Sequence, residues 1–518
     1  MFVTTVTKPE RLGPVPSDVE KKTHHVKNSA GKTTKFTNPH ESFSPVRMGI
    51  LSTWFGTSPF PKPENDVVAV VKPEFLPSRT GAPGSEALRA TWLGHACYYV
   101  EYPSGLRVLF DPVFEDHCAP IKRDLYKRFT QPPCKLSDLP FVDAVCISHS
   151  HYDHLSVDSV KEIRDNFPQA HFFVGLGLKD WFIQSGLENV TECDWWEDVD
   201  LTLTVKDGSA SEKEANHAPQ QPITGRISCL PCQHGSGRTG FDRDKTLWCS
   251  WAVSSSGGSS LDANQRSVLF LGDTGYRTVP RLPADVDDYA HPHDKLPTNP
   301  QFAQVGQLRG PFDLGLIPIG AYAPRAAFSG VHANPFDSVE IFRDTRCKRA
   351  MSIHWGTFIL TTEDLREPPK LLKEALRRRG IPEEGVFDVW VRKGFQVGLE
   401  HYLLSQEGAG EEAYYMVILR CRILEYPELE TGAYYTVWVR QRLQEREDSR
   451  VATKELGRDT QLNPLRKRSE NGGTISWVFD NWLCEECCAA VDYLTSLSIR
   501  LSAQFMLPIK ALIREVAE

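Results

Sequence analysis

The stretch His149-Ser150-His151-Tyr152-Asp153-His154 stands directly after an apolar run over residues 142–148. The run predicts a buried strand, and the hexapeptide occupies the turn that leaves it. Four imidazole and carboxylate groups within six residues are hard to explain by packing, because such groups are costly to bury without partners. On a tight strand-to-helix turn, His149 and His151 converge on one cation, and Asp153 and His154 face a second close by. A pair of cations needs further ligands from distant sequence, each at a strand end. Three are available: His234 in Cys232-Gln233-His234, Asp273 in Leu271-Gly272-Asp273-Thr274-Gly275, and His354 in Ile353-His354-Trp355-Gly356. Five histidines and two aspartates form a nitrogen and oxygen set without thiolate. Such a set suits zinc, with manganese or iron as alternatives.

Outward from this cluster, short β-branched and aromatic runs alternate with amphipathic stretches. Residues 89–100 and 107–110 read as strands around a Pro-Ser-Gly turn at 103–105, and residues 157–167 read as a helix. Further short strands are expected at 268–271, 314–319 and 350–353, and a helix at 368–379 stopped by Gly380. The pattern predicts an α/β sandwich whose strand ends carry the chemistry. Residues 1–86, rich in Pro, Lys, Thr and Ser, read as a mobile N-terminal arm. Seven basic against three acidic residues in the first 40 read first as a solvated tail, with a weak attraction to an anionic membrane surface as the sharper alternative. Residues 87–400 form the expected catalytic domain, and residues 401–518 a C-terminal extension of unknown role. In the extension, 414–424 and 434–439 read as strands, 441–470 as a charged helix or linker, and Leu483, Cys487, Val491, Leu494, Leu497 and Leu501 as an apolar helical stripe.

The net charge of −8 argues against a nucleic-acid binder, which carries a basic footprint. No uninterrupted apolar run of about 18 residues occurs, so a spanning helix is not expected. The first thirteen residues lack the apolar core of a secretory signal, and scattered thiols suit a reducing compartment. A glycine pattern at 235–240 is followed by Phe241-Asp242-Arg243-Asp244 rather than a helix, which sets aside a dinucleotide site. Cys484, Cys487 and Cys488 lack a fourth nearby ligand and make a poor zinc site.

Beyond the metal motif, a series of strings runs along the chain: Thr91-Trp92-Leu93-Gly94-His95-Ala96, Lys127-Arg128-Phe129, Asp194-Trp195-Trp196-Glu197, Gly272-Asp273-Thr274-Gly275-Tyr276, Ile319-Gly320-Ala321-Tyr322 and Ile353-His354-Trp355-Gly356-Thr357-Phe358. In these strings the sequence resembles the N-acyl phosphatidylethanolamine-hydrolysing phospholipase D family of the metallo-β-lactamase superfamily, from about residue 90 to 380. The resemblance implies a metallo-β-lactamase-type αββα sandwich holding two Zn2+. His149, His151 and His234 would hold one ion, Asp153, His154 and His354 the other, with Asp273 bridging. Asp111 would support the metal loop, and His95 would lie near the same strand ends in either a structural or a catalytic role. His332 would contact the phosphate or protonate the leaving oxygen, and Tyr276, Tyr322 and Arg325 would surround the phosphate. The implied activity is hydrolysis of N-acyl phosphatidylethanolamine to N-acylethanolamine and phosphatidic acid by a hydroxide shared between the metals.

The implied partners are a phospholipid substrate, a membrane surface on which the protein docks peripherally, and a second copy in a homodimer. The expected location is intracellular, either cytoplasmic or peripheral on an internal membrane, with mitochondria as one option. Other readings of the same site are hydrolysis of another phosphodiester or a lactone, or a non-catalytic metal-binding scaffold. Gly235, where the family usually has Trp, and the less bulky segment 322–328 are departures that put the acyl-chain preference in question.

Overall fold

Alternation along single strands builds two sheets that share one core. The computed structural model describes residues 2–9, 12–45, 60–64, 67–82, 84–85, 87–120, 122–205, 222–256, 265–283 and 286–389, and the strand backbone over 412–421, 433–442 and 475–479. The strands are β1 (Phe2–Thr7), β2 (His25–Lys27), β3 (Thr33–Phe36), β4 (Arg89–Gly94), β5 (Cys97–Glu101), β6 (Arg107–Phe110), β7 (Ala144–Cys146), β8 (His171–Gly175), β9 (Val190–Cys193), β10 (Asp198–Val205), β11 (Ile223–Leu230), β12 (Ser250–Ser256), β13 (Arg266–Phe270), β14 (Leu314–Pro318), β15 (Ala350–Ile353) and β16 (Phe387–Asp388). A six-stranded sheet runs β4 to β9 in sequence order, antiparallel up to β6 and parallel thereafter. An eight-stranded sheet runs β1-β10-β11-β12-β13-β14-β15-β16, antiparallel up to β13 and parallel after it.

Strand β5 shows how the layers form. Tyr98 and Val100 face the core shared with Trp251, Val253, Val268 and Phe270 of the second sheet. Their neighbours Cys97 and Tyr99 point the other way, into a cluster with Val160 and Ile163 of helix α1 (Val157–Asn166) and Phe182 of helix α2 (Lys179–Gln184). A period of two therefore supplies both faces. Phe110 and Phe270 meet across the sheets with ring centroids 4.8 Å apart. Each such fully buried ring contributes roughly 1.5–3 kcal/mol of burial. Helices α3 (Gln301–Leu308), α5 (Pro335–Asp344) and α6 (Glu367–Arg378) contribute Phe302, Val339, Ile341 and Leu372 to the core cluster of the second sheet, and the short α4 (Arg325–Phe328) lies in the loop before α5. The result is the αββα sandwich expected of the metallo-β-lactamase type.

Two local expectations change. The strand expected over 89–100 is broken at His95, whose φ of +52° turns the chain between β4 and β5. The mobile arm expected over 1–86 is tied into the fold where it is described. β1 pairs along its whole length with β10, Val6 and Phe2 pack on the core, and Thr4 Oγ1 donates to the Gln169 carbonyl. Its polar composition reflects an edge strand with alternate residues in solvent, which sequence does not separate from a tail.

The first compact unit is Met1–Trp390 and the second Val391–Glu518. In the second, β17 (Glu412–Cys421) pairs antiparallel with β18 (Ala433–Arg442), which pairs parallel with β19 (Ile475–Phe479). The charged stretch at 443–470, the apolar stripe from Leu483 and the Cys484–Cys488 cluster lie outside the described residues. Among the described residues no helix is long and apolar enough to cross a membrane.

Candidate metal centre

Five strand ends deliver the candidate residues. β6 ends before Asp111, β7 before the 149–154 hexapeptide, β11 before His234, β13 before Asp273 and β15 before His354. The approach of the β7 and β13 exits is close. Gly272 has φ +59°, and a Cβ there would lie 2.4 Å from the Ser148 Cβ, so the turn into Asp273 needs glycine. His95, Asp111 and His354 also adopt positive φ (52°, 38° and 62°). Non-glycine residues in this region mark places where tertiary contacts overrule local preference.

One group of donors is His149, His151 and His234, with ligand atoms all within 4.8 Å of one another. The proton positions follow from the partners. His234 Nδ1 donates to the Val331 carbonyl (2.9 Å). Ser148 Oγ gives its proton to Asp111, so His149 Nδ1 donates to Ser148 Oγ (2.9 Å). His149 Nε2 and His234 Nε2 are therefore left with lone pairs, and both face His151 Nδ1, at 2.8 and 3.2 Å. One imidazole proton cannot satisfy both, whereas one cation would satisfy all three nitrogens.

The second group is Asp153, His154 and His354, with His95 beside them. His154 Nδ1 donates to Asp111 Oδ2 (2.6 Å), which turns its Nε2 toward Asp273 Oδ2 and Asp153 Oδ2, at 3.2 and 3.3 Å. That Nε2 is buried without hydrogen-bonding geometry to any partner, and so is Asp273 Oδ1. His95 Nε2 donates to Asp153 Oδ2 (3.0 Å).

Asp273 lies between the groups. Its Oδ2 is 3.6 Å from His234 Nε2 and 3.9 Å from His149 Nε2, and its Oδ1 is 3.0 Å from His354 Nε2. His332 stands at the edge, with Nδ1 3.9 Å from Asp273 Oδ2, its ring stacked on His354, and Nδ1 without a hydrogen-bond partner. Orphaned buried nitrogens and oxygens, an N/O donor set and two clusters sharing one carboxylate fit a pair of divalent ions.

The electrostatics agree. Burial lowers the pKa of His354, yet the Asp273 and Asp153 carboxylates outweigh it and raise the value to about 9. His154 is raised well above its usual value in the same way, burial being overcome by Asp273 and Asp153. Burial raises Asp153 and Asp273, but their imidazole neighbours hold both well below the carboxylate range. Without an ion, protonated histidines supply the positive charge that the carboxylates demand. His332 is different: burial drives it down to about 3, so it is neutral.

Other expected residues are placed as follows. Asp111 accepts from Ser148 N (2.7 Å) and from Ser148 Oγ and His154 Nδ1, so it braces the loop, holding His154 directly and His149 through Ser148. The three residues expected around the phosphate have their donors turned to carboxylates. Tyr276 donates to Asp344 (2.9 Å), Tyr322 to Glu367 (2.6 Å), and Arg325 pairs with Asp288 and Asp337 (3.1 and 2.8 Å). In this structure these three groups are engaged by carboxylates of the chain itself. At Gly235 a Cβ would lie 3.0 Å from Asp244 Oδ1, so the Asp244 carboxylate stands where a larger residue would project. A cleft beside His95 and His354 is lined by Phe358, Leu360, Glu363 and Pro368.

The sequence reading missed Ser148, Gln233 and Thr274, each adjacent to a candidate ligand. Gln233 N donates to Thr274 Oγ1 (2.9 Å), Gly275 N to Gln233 O (2.7 Å), and Ala333 N to Thr274 O (2.6 Å). These bonds stitch the His234, Asp273 and His332 loops together. Adjacency was the signal available for them. Asn38, which bonds the His234 backbone, offered none.

Fold and site together define a metal-dependent hydrolase of the metallo-β-lactamase superfamily, and a family profile described as "Beta-lactamase superfamily domain" matches residues 106–355. N-acyl-phosphatidylethanolamine-hydrolyzing phospholipase D 1 of Caenorhabditis elegans is 37% identical over 298 residues, 56% of this chain and 70% of that one. The mitochondrial N-acyl-phosphatidylethanolamine-hydrolyzing phospholipase D of Saccharomyces cerevisiae is 33% identical over 286 residues, 55% of this chain and 50% of that one. Among solved structures, the metallo hydrolase Igni18 of Ignicoccus hospitalis aligns at 19% identity over 58% of this chain and 94% of that one, with a TM-score of 0.34. The chain belongs to the N-acyl-phosphatidylethanolamine-hydrolysing phospholipase D family.

Proposed function

We propose that this protein is a zinc-dependent phosphodiesterase of the phospholipase D type, hydrolysing N-acyl phosphatidylethanolamine to N-acylethanolamine and phosphatidic acid. The observation that carries the reading is the placement of Asp273 within reach of both donor groups, in a chain whose relatives are named for that activity. His149, His151 and His234 would hold one ion, and Asp153, His154 and His354 the other, with Asp273 shared. Two bound zinc ions supply an acidified water and polarise a phosphoryl oxygen.

The chain's own residues do the rest. Asp273 orients the attacking water in line with the bond to be broken. His95 fixes Asp153 by donating to it, and Asp111 fixes His154 and, through Ser148, His149. His332, neutral and with an unpartnered ring nitrogen at the edge of the cluster, donates a hydrogen bond to a phosphoryl oxygen. Of the two roles open to it, phosphate contact fits a neutral imidazole better than proton delivery does. Water oxygen joins phosphorus, the P–O bond to the ethanolamine side breaks, and the proton ends on the released alcohol. The diacylglycerol part stays in the bilayer, so the protein docks peripherally on an internal membrane, mitochondrial as in the yeast relative's name.

The test is mass-spectrometric product analysis with defined N-acylated phospholipids in vesicles, with and without chelator. Chelator-sensitive release of N-acylethanolamine with phosphatidic acid is the expected result. Tight zinc binding without that release would reject the reading, and turnover of a lactone or soluble phosphodiester would replace it.

A further inference from the structure

The segment from Lys22 to Ser44 is sewn across the loop that carries His234. At its near end, Lys22 Nζ, His24 Nε2 and His25 Nε2 all bond the buried Asp194 carboxylate, at 2.8, 2.7 and 3.0 Å. His24 stacks on Trp195 with centroids 4.2 Å apart, and Phe36 enters the core. The chain then passes over the β11 exit. Asn38 Nδ2 donates to the His234 carbonyl (2.7 Å), and the His234 N–H donates to Asn38 Oδ1 (3.2 Å). Only one orientation of the Asn38 amide satisfies both bonds. Ser42 Oγ donates to Gln233 Oε1 (2.6 Å), and the Ser42 carbonyl accepts from Thr278 N (2.8 Å).

We infer that Asn38 is a positioning residue for the His234 metal ligand. The inference rests on the assignment of His234 as a ligand. β11 ends at Leu230, so His234 is four residues beyond ladder support. Its ring is aimed by Val331, but its backbone is held from outside the strand by the Asn38 side chain. A ligand must be fixed to a fraction of an ångström to hold its metal, and partners that orient ligands typically change metal affinity by about 10–100-fold when removed. Asn38 is 196 residues away in sequence and closes both free backbone groups of His234 at once. Pro39 follows it, and a following proline disfavours helical backbone at Asn38.

The experiment uses the full-length zinc-loaded protein challenged with a chromophoric chelator, reading the number of ions released and the rate of each. His234→Ala should lack one ion. Asn38→Ala should release that same ion about tenfold or more faster and leave the other at its wild-type rate. Asn38→Asp keeps the acceptor for His234 N–H but sets a carboxylate oxygen against the His234 carbonyl, so it should release that ion at least as fast as Asn38→Ala. Turnover should show reduced kcat with KM little changed, and Ser42→Ala should give a smaller effect in the same direction. If Asn38→Ala fails to fold by its metal-free melting curve, Asn38→Asp and Asn38→Ser carry the comparison. Wild-type release rates in the Asn38 variants, with one ion missing in His234→Ala, would overturn the inference and leave the site assignment standing. Two ions retained at wild-type rates in His234→Ala would overturn the ligand assignment itself, and the inference with it.

Discussion

Two clusters in this molecule bring histidines onto a buried aspartate, and they differ in one respect that decides their chemistry. Around Asp194, two imidazoles and the Lys22 ammonium each reach a carboxylate oxygen, and His25 Nδ1 is satisfied by Thr33. Positive charge is already present, so a metal ion there would displace an ion pair and meet an ammonium. Around Asp273, His154 Nε2, His332 Nδ1 and Asp273 Oδ1 are buried without hydrogen-bond partners, and two lone pairs compete for one proton at His151. Donor identity and spacing are similar in the two places. Satisfaction separates them: a closed hydrogen-bond network holds a fold together, and an open one needs a ligand.

The sharpest way to break this contrast is at the aspartates. Asp273→Ala should lower kcat by at least about 10³-fold and remove bound metal, since in the proposed mechanism it is the shared donor and the group that orients the water. Metal analysis of the purified variant beside its turnover checks both. His332→Ala should lower kcat by about 10²-fold with metal content unchanged, because the residue lies at the edge of the donor set; retention of full turnover would remove it from the mechanism. Metal affinity should fall on acidification by about tenfold per pH unit for each proton displaced. The sign follows from His354, raised to about 9, and His154, raised with it: below about pH 9 the ion must expel protons, and above it the dependence on His354 flattens. Zinc titrations with a competing chelator between pH 6 and 9 would measure the slope. Asp111→Asn should weaken metal binding by about 10-fold by loosening His154. Smallest in its effect on catalysis, Asp194→Asn should leave metal stoichiometry and turnover per folded molecule intact while costing about 2 kcal/mol of stability, read as a lower denaturation midpoint. Loss of a metal ion in Asp194→Asn would erase the distinction between the clusters.

Much of the centre was legible because it is written in side-chain chemistry. The hexapeptide 149–154 puts four donors on one turn, and His234, Asp273 and His354 each follow an apolar run that had to be a strand. The outer arrangement was less legible. Tyr276, Tyr322 and Arg325 carry groups suited to a phosphate, yet their hydroxyls and guanidinium meet Asp344, Glu367, Asp288 and Asp337. Nothing in their neighbourhood along the chain distinguishes a group facing a ligand from one facing a carboxylate across a loop.

The sequence by itself determined the candidate donors, the sandwich and the strand ends on which those candidates lie, because residue type and a period of two are local properties. Tertiary structure decided what each donor meets. It made β1 an edge strand of the second sheet, turned the region from Lys22 to Ser44 into a brace, and set Asn38 against the backbone of His234. The last of these contacts joins a side chain to backbone groups 196 residues away. Backbone groups are alike at every position, so their pairing is fixed only when long-range strand register brings them together.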